Sequence, residues 1–173
     1  MTSTLGKIFA AQGMALVLLA GSPAFAQTAA QTTTQTAAQS APQDDGLIKV
    51  RSAYSMDETI ARIRKDIDAK GIMFFQAVDQ AQLAAKAGIT LRPSTLLTFG
   101  NPPLGAQFLT SNPYSGLDWP VRLLVLQDEA GVVWTAYTDF GWIAKRHHIV
   151  DRTEQFAKAT SVVESITSTV RAQ

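Results

Sequence analysis

Apolar and polar positions recur along the chain in two periods, and each change of period marks an element. Leu47 to Tyr54 reads as a first strand, and Ser55-Met56-Asp57-Glu58 follows it as a capping box. In that box a hydroxyl answers one orphan amide and a glutamate reaches back to another, so a helix opens there. Met56, Ile60, Ile63 and Ile67 fall on one stripe of that helix, Glu58 pairs with Arg62 and Arg62 with Asp66 along its outside, and Gly71 ends it. Ile72 to Val78 reads as a second strand; Asp79 then opens a short alanine-rich helix that Gly88 closes. Pro93 precedes a third strand, Ser94 to Phe99, which runs into Gly100-Asn101-Pro102-Pro103. Asn101 suits the cap and Pro102 the first turn of a helix reaching about Thr110.

Asn112 to Pro120 is a proline-bounded loop holding Tyr114, Leu117 and Trp119. Val121 to Leu126 and Val132 to Tyr137 flank Asp128-Glu129-Ala130-Gly131, where glycine can take the left-handed position that ends a hairpin loop. Trp134 and Tyr137 then fall on opposite faces of the second hairpin strand. Phe140 to His147 reads as a short helix or turn, and Asp151-Arg152-Thr153-Glu154 as the cap of a long final helix. Phe156, Ala159, Val163, Ile166 and Val170 give that helix one apolar stripe, which must pack on the sheet or on another subunit. A hairpin joined to strand-helix units predicts an α+β fold. Its sheet is single, antiparallel or mixed, curved and of about five strands, with helices mainly on one face.

The first residues change the picture of the whole. Lys7, an apolar stretch from Ile8 to Ala20 and the small-x-small run Ala24-Phe25-Ala26 predict a secretory signal peptide over 1–26, cleaved after Ala26. The apolar stretch is broken by Gln12 and Gly13 and falls short of the ~20 residues a permanent span needs. Residues 27–46, almost wholly Gln, Thr, Ala and Ser before Pro42, lack large apolar side chains and predict a disordered linker; 47–173 is then a single globular domain. The expected location is the periplasm or the extracellular medium, with no membrane contact after cleavage.

Loss of Lys7 leaves 14 basic and 14 acidic residues. A neutral domain lacks the positive footprint that nucleic acid requires. The absence of cysteine removes disulfides, thiolate metal sites and thiol nucleophiles. Gly100 to Gly105 has glycines at phosphate-loop spacing, but two prolines delete amides and Ala106-Gln107 stand where lysine and a hydroxyl are needed. A strand-to-helix corner is the simpler reading, with Asn101 fixed at a strand end where ligands often bind. The only histidines are His147 and His148; on a helix, His147 shares a face with Asp151 at i,i+4 and His148 at i,i+3. Such pairs suit a metal or an acid–base role, or simply capping of the final helix. Arg122 in an apolar strand reads as an edge charge facing water or a ligand contact. No Gly-x-Ser-x-Gly elbow, His-Glu-x-x-His or comparable catalytic motif is present.

Ser55-Met56-Asp57-Glu58-Thr59, Gly71 to Phe75, Val78-Asp79, Ala84 to Gly88, Leu96 to Pro102 and Leu117 to Arg122 together resemble the domain of unknown function 302 family. The phenylalanine-glycine-asparagine-proline corner, followed at a distance by an aspartate, a proline and an apolar strand, carries most of the resemblance. It implies a compact α+β domain prone to homodimerise, with no established activity. Its recurrent positions here are Gly100, Asn101, Pro102, Asp118, Pro120 and His148, whereas His147 departs from the pattern.

The expected function is therefore a non-catalytic module, acting as a homodimer and binding an unknown small ligand or a protein, with no cofactor or metal required. Asn101, Asp118, Arg122 and His148 are its candidate ligand contacts, and Tyr114, Leu117 and Trp119 its candidate interaction loop. One alternative is a small hydrolase or isomerase using His148, Asp118 and Asn101 as base, orienter and oxyanion donor. Another is weak metal or haem binding through His147 or His148.

Overall fold

The computed structural model describes residues 45–171; the expected signal peptide, its expected cleavage site and nearly all of the expected linker lie outside the described residues. Five strands, β1 (Leu47–Arg51), β2 (Met73–Asp79), β3 (Ser94–Gly100), β4 (Val121–Gln127) and β5 (Val133–Thr138), form one sheet in the order β1-β5-β4-β3-β2. All four pairings are antiparallel, which settles the choice between antiparallel and mixed. Helices α1 (Met56–Ala69), α2 (Gln80–Lys86) and α3 (Pro102–Ser111), the last with a 3-10 helix over Pro113–Asp118, fill the connections between strands, and α4 (Phe140–Arg146) and α5 (Thr153–Ser168) follow β5.

The period-2 pattern decides which face is covered. Leu97 and Phe99, then Leu123 and Val125, then Val133 and Tyr137 are buried on one face and join Ile63 and Ile67 of α1, Phe108 of α3, Phe140 and Ile143 of α4 and the α5 stripe in a single core. Every stripe residue of α5 is buried within this chain, so the helix is satisfied by its own core. α2 adds no buried residue. On the opposite face, Ala136, Leu124, Leu96 and Val78 line up across four strands in register, beside Trp134 and Leu126, and all are only half-buried.

The hairpin between β4 and β5 is held by Asp128. Its carboxylate accepts from the Trp134 indole and from the Val132 and Ala130 amides, and these bonds, the indole's first, hold it below the ordinary aspartate value.

Several expected caps form and others do not. Ser55, Asp79 and Asn101 each accept from the amide three residues on. Glu58 pairs with Arg62 instead of reaching back, and Asp66 pairs with Lys70 instead of Arg62. The expected box at Asp151 is absent, because Arg152 is the N-cap and makes no side-chain cap bond. Asp151 accepts from Ser111 and Arg152, and chiefly the Ser111 hydrogen bond holds its carboxyl below the usual range.

Helices α1, α2 and α4 end alike. In each, the residue two past the last helical one has a positive φ, its amide bonds two carbonyls back in the helix, and the next amide bonds the one before that. Gly71 and Gly88 take this position in α1 and α2, but in α4 it falls to His148, with φ 52°. A left-handed conformation costs an L-residue ~1–2 kcal/mol that glycine avoids, partly offset by glycine's greater freedom when unfolded. His148→Gly is expected to stabilise the domain by about 0.5–1 kcal/mol, read as a higher urea midpoint at unchanged m-value.

The corner glycines serve packing. A Cβ on Gly105 would run into Cε2 and Nε1 of Trp119, and one on Gly100 would lie 2.7 Å from the same indole's Cζ2. Helix propensity alone makes alanine better than glycine inside α3 by about 1 kcal/mol. Overpacking against a seated indole costs ~1–3 kcal/mol or more, so packing decides the sign. Gly105→Ala is expected to destabilise the domain by up to about 2 kcal/mol, read as a lower urea midpoint, whereas a gain would show that Trp119 is not seated there.

Candidate functional site

Two places on the described residues gather polar groups against apolar walls. The first is centred on Asp118, at the end of the 3-10 helix, whose carboxylate is only 2% exposed. A charge held that far from water requires close donors, and three converge on it. Arg122 Nη2 donates to Oδ1 at 2.7 Å, Arg146 Nη1 lies 3.1 Å from Oδ2, and His147 Nε2 lies 2.7 Å from the same oxygen. Arg122 comes from the first turn of β4, while Arg146 and His147 come from the end of α4, so the carboxylate ties three segments together. Asn112 adds a fourth tie: its Oδ1 caps the 3-10 helix by accepting from Tyr114, and its Nδ2 donates to the His147 carbonyl at 2.8 Å. A space of only about 10 Å³ remains beside Asp118, bounded by Arg122, Tyr137, Thr138 and Phe140. That is the threshold for one water and leaves no room for a substrate. Burial, then the Glu164 charge, push the Tyr137 hydroxyl up.

The second place is a cleft of about 390 Å³ between the end of β3, the end of α1, the start of α3 and one flank of α5. Ile72, Phe99, Leu104, Trp119, Val162 and Val163 supply apolar wall. Trp119 is positioned there because Gly100 and Gly105 admit its indole and Phe108 packs against it, with ring centroids 6.2 Å apart. The polar side chains lining the cleft are Lys70, Lys158 and Asn101. Asn101 spends its oxygen on the Leu104 amide, which leaves its NH2 group as the free end.

The residues singled out in the sequence are thus divided between these places. Asp118 and Arg122 meet, and Arg122 lies on an inner strand, bound to Asp118, rather than at a sheet edge. Asn101 belongs to the cleft, and the hydrogen bonds around Asp118 do not include it. His148 is exposed and holds the left-handed helix end, whereas its neighbour His147 is buried against Asp118. The helix ends before either histidine, so neither shares a helical face with Asp151. Among the described residues, no three His, Cys, Asp or Glu side chains come together as a metal-ligand set. Of the loop, Trp119 turns inward, while Tyr114 and Leu117 are 76% and 65% exposed.

Sequence reasoning missed Arg146, Asn112 and both lysines of the cleft, and it paired His147 with Asp151 where the structure pairs it with Asp118. Asp118 and His147 are 29 residues apart with no motif spanning them, and Lys70 and Lys158 lie on different helices' ends and flanks. Only the odd Asn112-Pro113 step after a helix offered a signal, as a cap for a following turn.

With this geometry established, comparison with known proteins places the chain. Two curated relatives, each named fluoride-specific ion channel FluC 1, from Brucella suis biovar 1 and Brucella abortus biovar 1, are 38% identical over 106 residues. The match covers 61% of this chain but 42% and 39% of theirs, so the chain spans about two fifths of the length of these relatives. Among the described residues, no helix is long and apolar enough to cross a membrane. The crystal structure of an uncharacterized conserved protein DUF302 from Bacillus stearothermophilus superposes with a TM-score of 0.67 at 19% identity. It covers 73% of this chain and 99% of its own, which shows a shared fold. The family model described as a domain of unknown function, DUF302, matches residues 48–169, nearly the whole of the described fold, and the chain therefore belongs to the DUF302 family.

Proposed function

We propose that the domain is an exported, non-catalytic module that binds a small, largely apolar ligand in the cleft beside Trp119. The cleft itself carries this reading: about 390 Å³ of space walled by aliphatic and aromatic side chains, with a few polar groups in its lining. That is the composition of small-molecule sites, at the lower end of their ~300–1,000 Å³ range. The constellation around Asp118 supports a binding role over a catalytic one, because its donors are spent on a carboxylate that packing encloses. Export rests on the signal-peptide pattern over 1–26.

Fluorine NMR of fluorotryptophan-labelled protein follows Trp119, Trp134 and Trp142 separately. Titration with 1-octanol, a neutral probe with an apolar body, is expected to move the Trp119 resonance and leave the other two in place. Saturable movement of Trp134 or Trp142 alone, or no movement, would sink the cleft as a binding site.

We further propose that the module works as a homodimer joined through the uncovered sheet face. The half-buried row of Ala136, Leu124, Leu96 and Val78, with Trp134 and Leu126, is the apolar surface that such a partner would cover. Five strands at ~4.8 Å spacing and ~20 Å length give a face of about 500 Å² before side-chain relief, of the order of the ~800 Å² per partner buried in stable complexes. Sedimentation velocity is expected to show a dimer for the native protein and a folded monomer for Leu96→Glu/Leu124→Glu. A native protein that stays monomeric at high concentration would overturn this arrangement.

A further inference from the structure

The polar lining of the cleft narrows the class of ligand. Resting on the cleft as the binding site, we infer that it takes an amphiphile with one anionic head, an apolar acyl or aryl body ending in a carboxylate. The side chains that line the cleft supply donors and positive charge: the Lys70 and Lys158 ammonium groups and the Asn101 NH2. No acidic side chain is among its lining residues.

The charges differ in how far they are already answered. Lys70 donates to Asp66 one turn back along α1, with a heavy-atom separation of 2.5 Å. Lys158, exposed on α5, has no ion-pair partner among the described residues. The cleft therefore carries about one unbalanced positive charge, at Lys158. The start of α3 opens on the same space through Asn101 and Leu104, and its end of the helix dipole is the positive one. Pro102 and Pro103 have no amide hydrogen, and Leu104's amide is held by Asn101, so this end contributes field and not direct amide contacts.

An apolar body alone would leave Lys158 unpaired at the mouth, and a cationic head would meet it with like charge. A carboxylate meets the ammonium through a charge-assisted hydrogen bond and accepts from Asn101 as well, while its apolar body fills the space against Trp119 and Val162. A single negative charge balances the single unpaired lysine. A head carrying two charges would leave one unanswered at an apolar mouth.

The test compares three probes of one tail length, octanoate, 1-octanol and octylamine, by calorimetry and by the Trp119 resonance at low and high salt. Octanoate is expected to bind about tenfold more tightly than 1-octanol at low salt, with the margin shrinking at high salt, and octylamine to bind most weakly. Lys158→Ala and Lys158→Gln alter an exposed side chain and are expected to remove most of the octanoate margin while leaving 1-octanol unchanged. Val162→Trp fills the cleft and is expected to abolish binding of all three. Equal affinities for octanoate and 1-octanol, or a margin indifferent to Lys158, would overturn the anionic class while leaving the cleft intact. Octanoate binding that survives Val162→Trp would place it elsewhere and overturn the inference. Failure of every probe would instead remove the binding site on which the inference rests.

Discussion

The seating of the Trp119 indole on Gly100 and Gly105 is the contact on which the rest of the arrangement depends. An indole can approach β3 and α3 that closely only where both present bare backbone, and the strand-to-helix corner supplies a glycine on each side of Asn101-Pro102-Pro103-Leu104. Once seated, Trp119 forms part of the cleft wall on one side and touches Phe108 on the other, and Phe108 continues to Phe156 of α5 with ring centroids 4.4 Å apart. These contacts thereby link the end of inner strand β3, the corner helix and the final helix, each aromatic pair adding to the area that burial alone would contribute.

The residue before it works in the opposite sense. Trp119 is anchored by shape, Asp118 by charge: a carboxylate removed from water is held by Arg122, Arg146 and His147, and it fixes α4 against the start of β4. Both arginines remain nearly half exposed, so their pairs are screened, whereas the contact to buried His147 is not. Two adjacent residues thus pin the end of the 3-10 helix from two directions, which explains why a short connection between α3 and β4 can carry so much of the domain's order.

Legibility in the sequence followed the range of the interactions. Elements set by local periodicity were readable: the hairpin about Asp128-Gly131, the α5 stripe, the caps at Ser55, Asp79 and Asn101, and the five-stranded α+β sheet. The box at Asp151 failed because Ser111, 40 positions away, and Arg152 claim its carboxylate, a competition no local pattern contains. The histidine pair misled for a related reason. A residue that ends a helix in a left-handed turn is normally revealed by glycine, so His148 read as chemistry and not as conformation. His147 was matched with nearby Asp151 because its actual partner, Asp118, lies 29 positions earlier. Trp119 looked like part of an exposed loop with Tyr114 and Leu117, since the glycines that receive it are themselves silent in a hydrophobicity pattern.

The two polar regions differ in what remains for a ligand to do. Around Asp118 the opposite charges are already joined, and the space left is that of a single water, so any incoming group would have to break bonds that hold the fold. At the cleft the order is reversed: the apolar surface is formed, its volume is open, and Lys158 stands without a counter-charge among the described residues. A fold that neutralises its buried charge internally while leaving one cation at the mouth of an apolar space places its unmet interactions at that mouth. Binding there costs little reorganisation, because Trp119 is held by backbone packing and not by the ligand. On the proposed reading, selectivity would follow from two independent features, the length of apolar body that the cleft admits and the sign of the head that Lys158 accepts, and each can be altered without disturbing the Asp118 clasp.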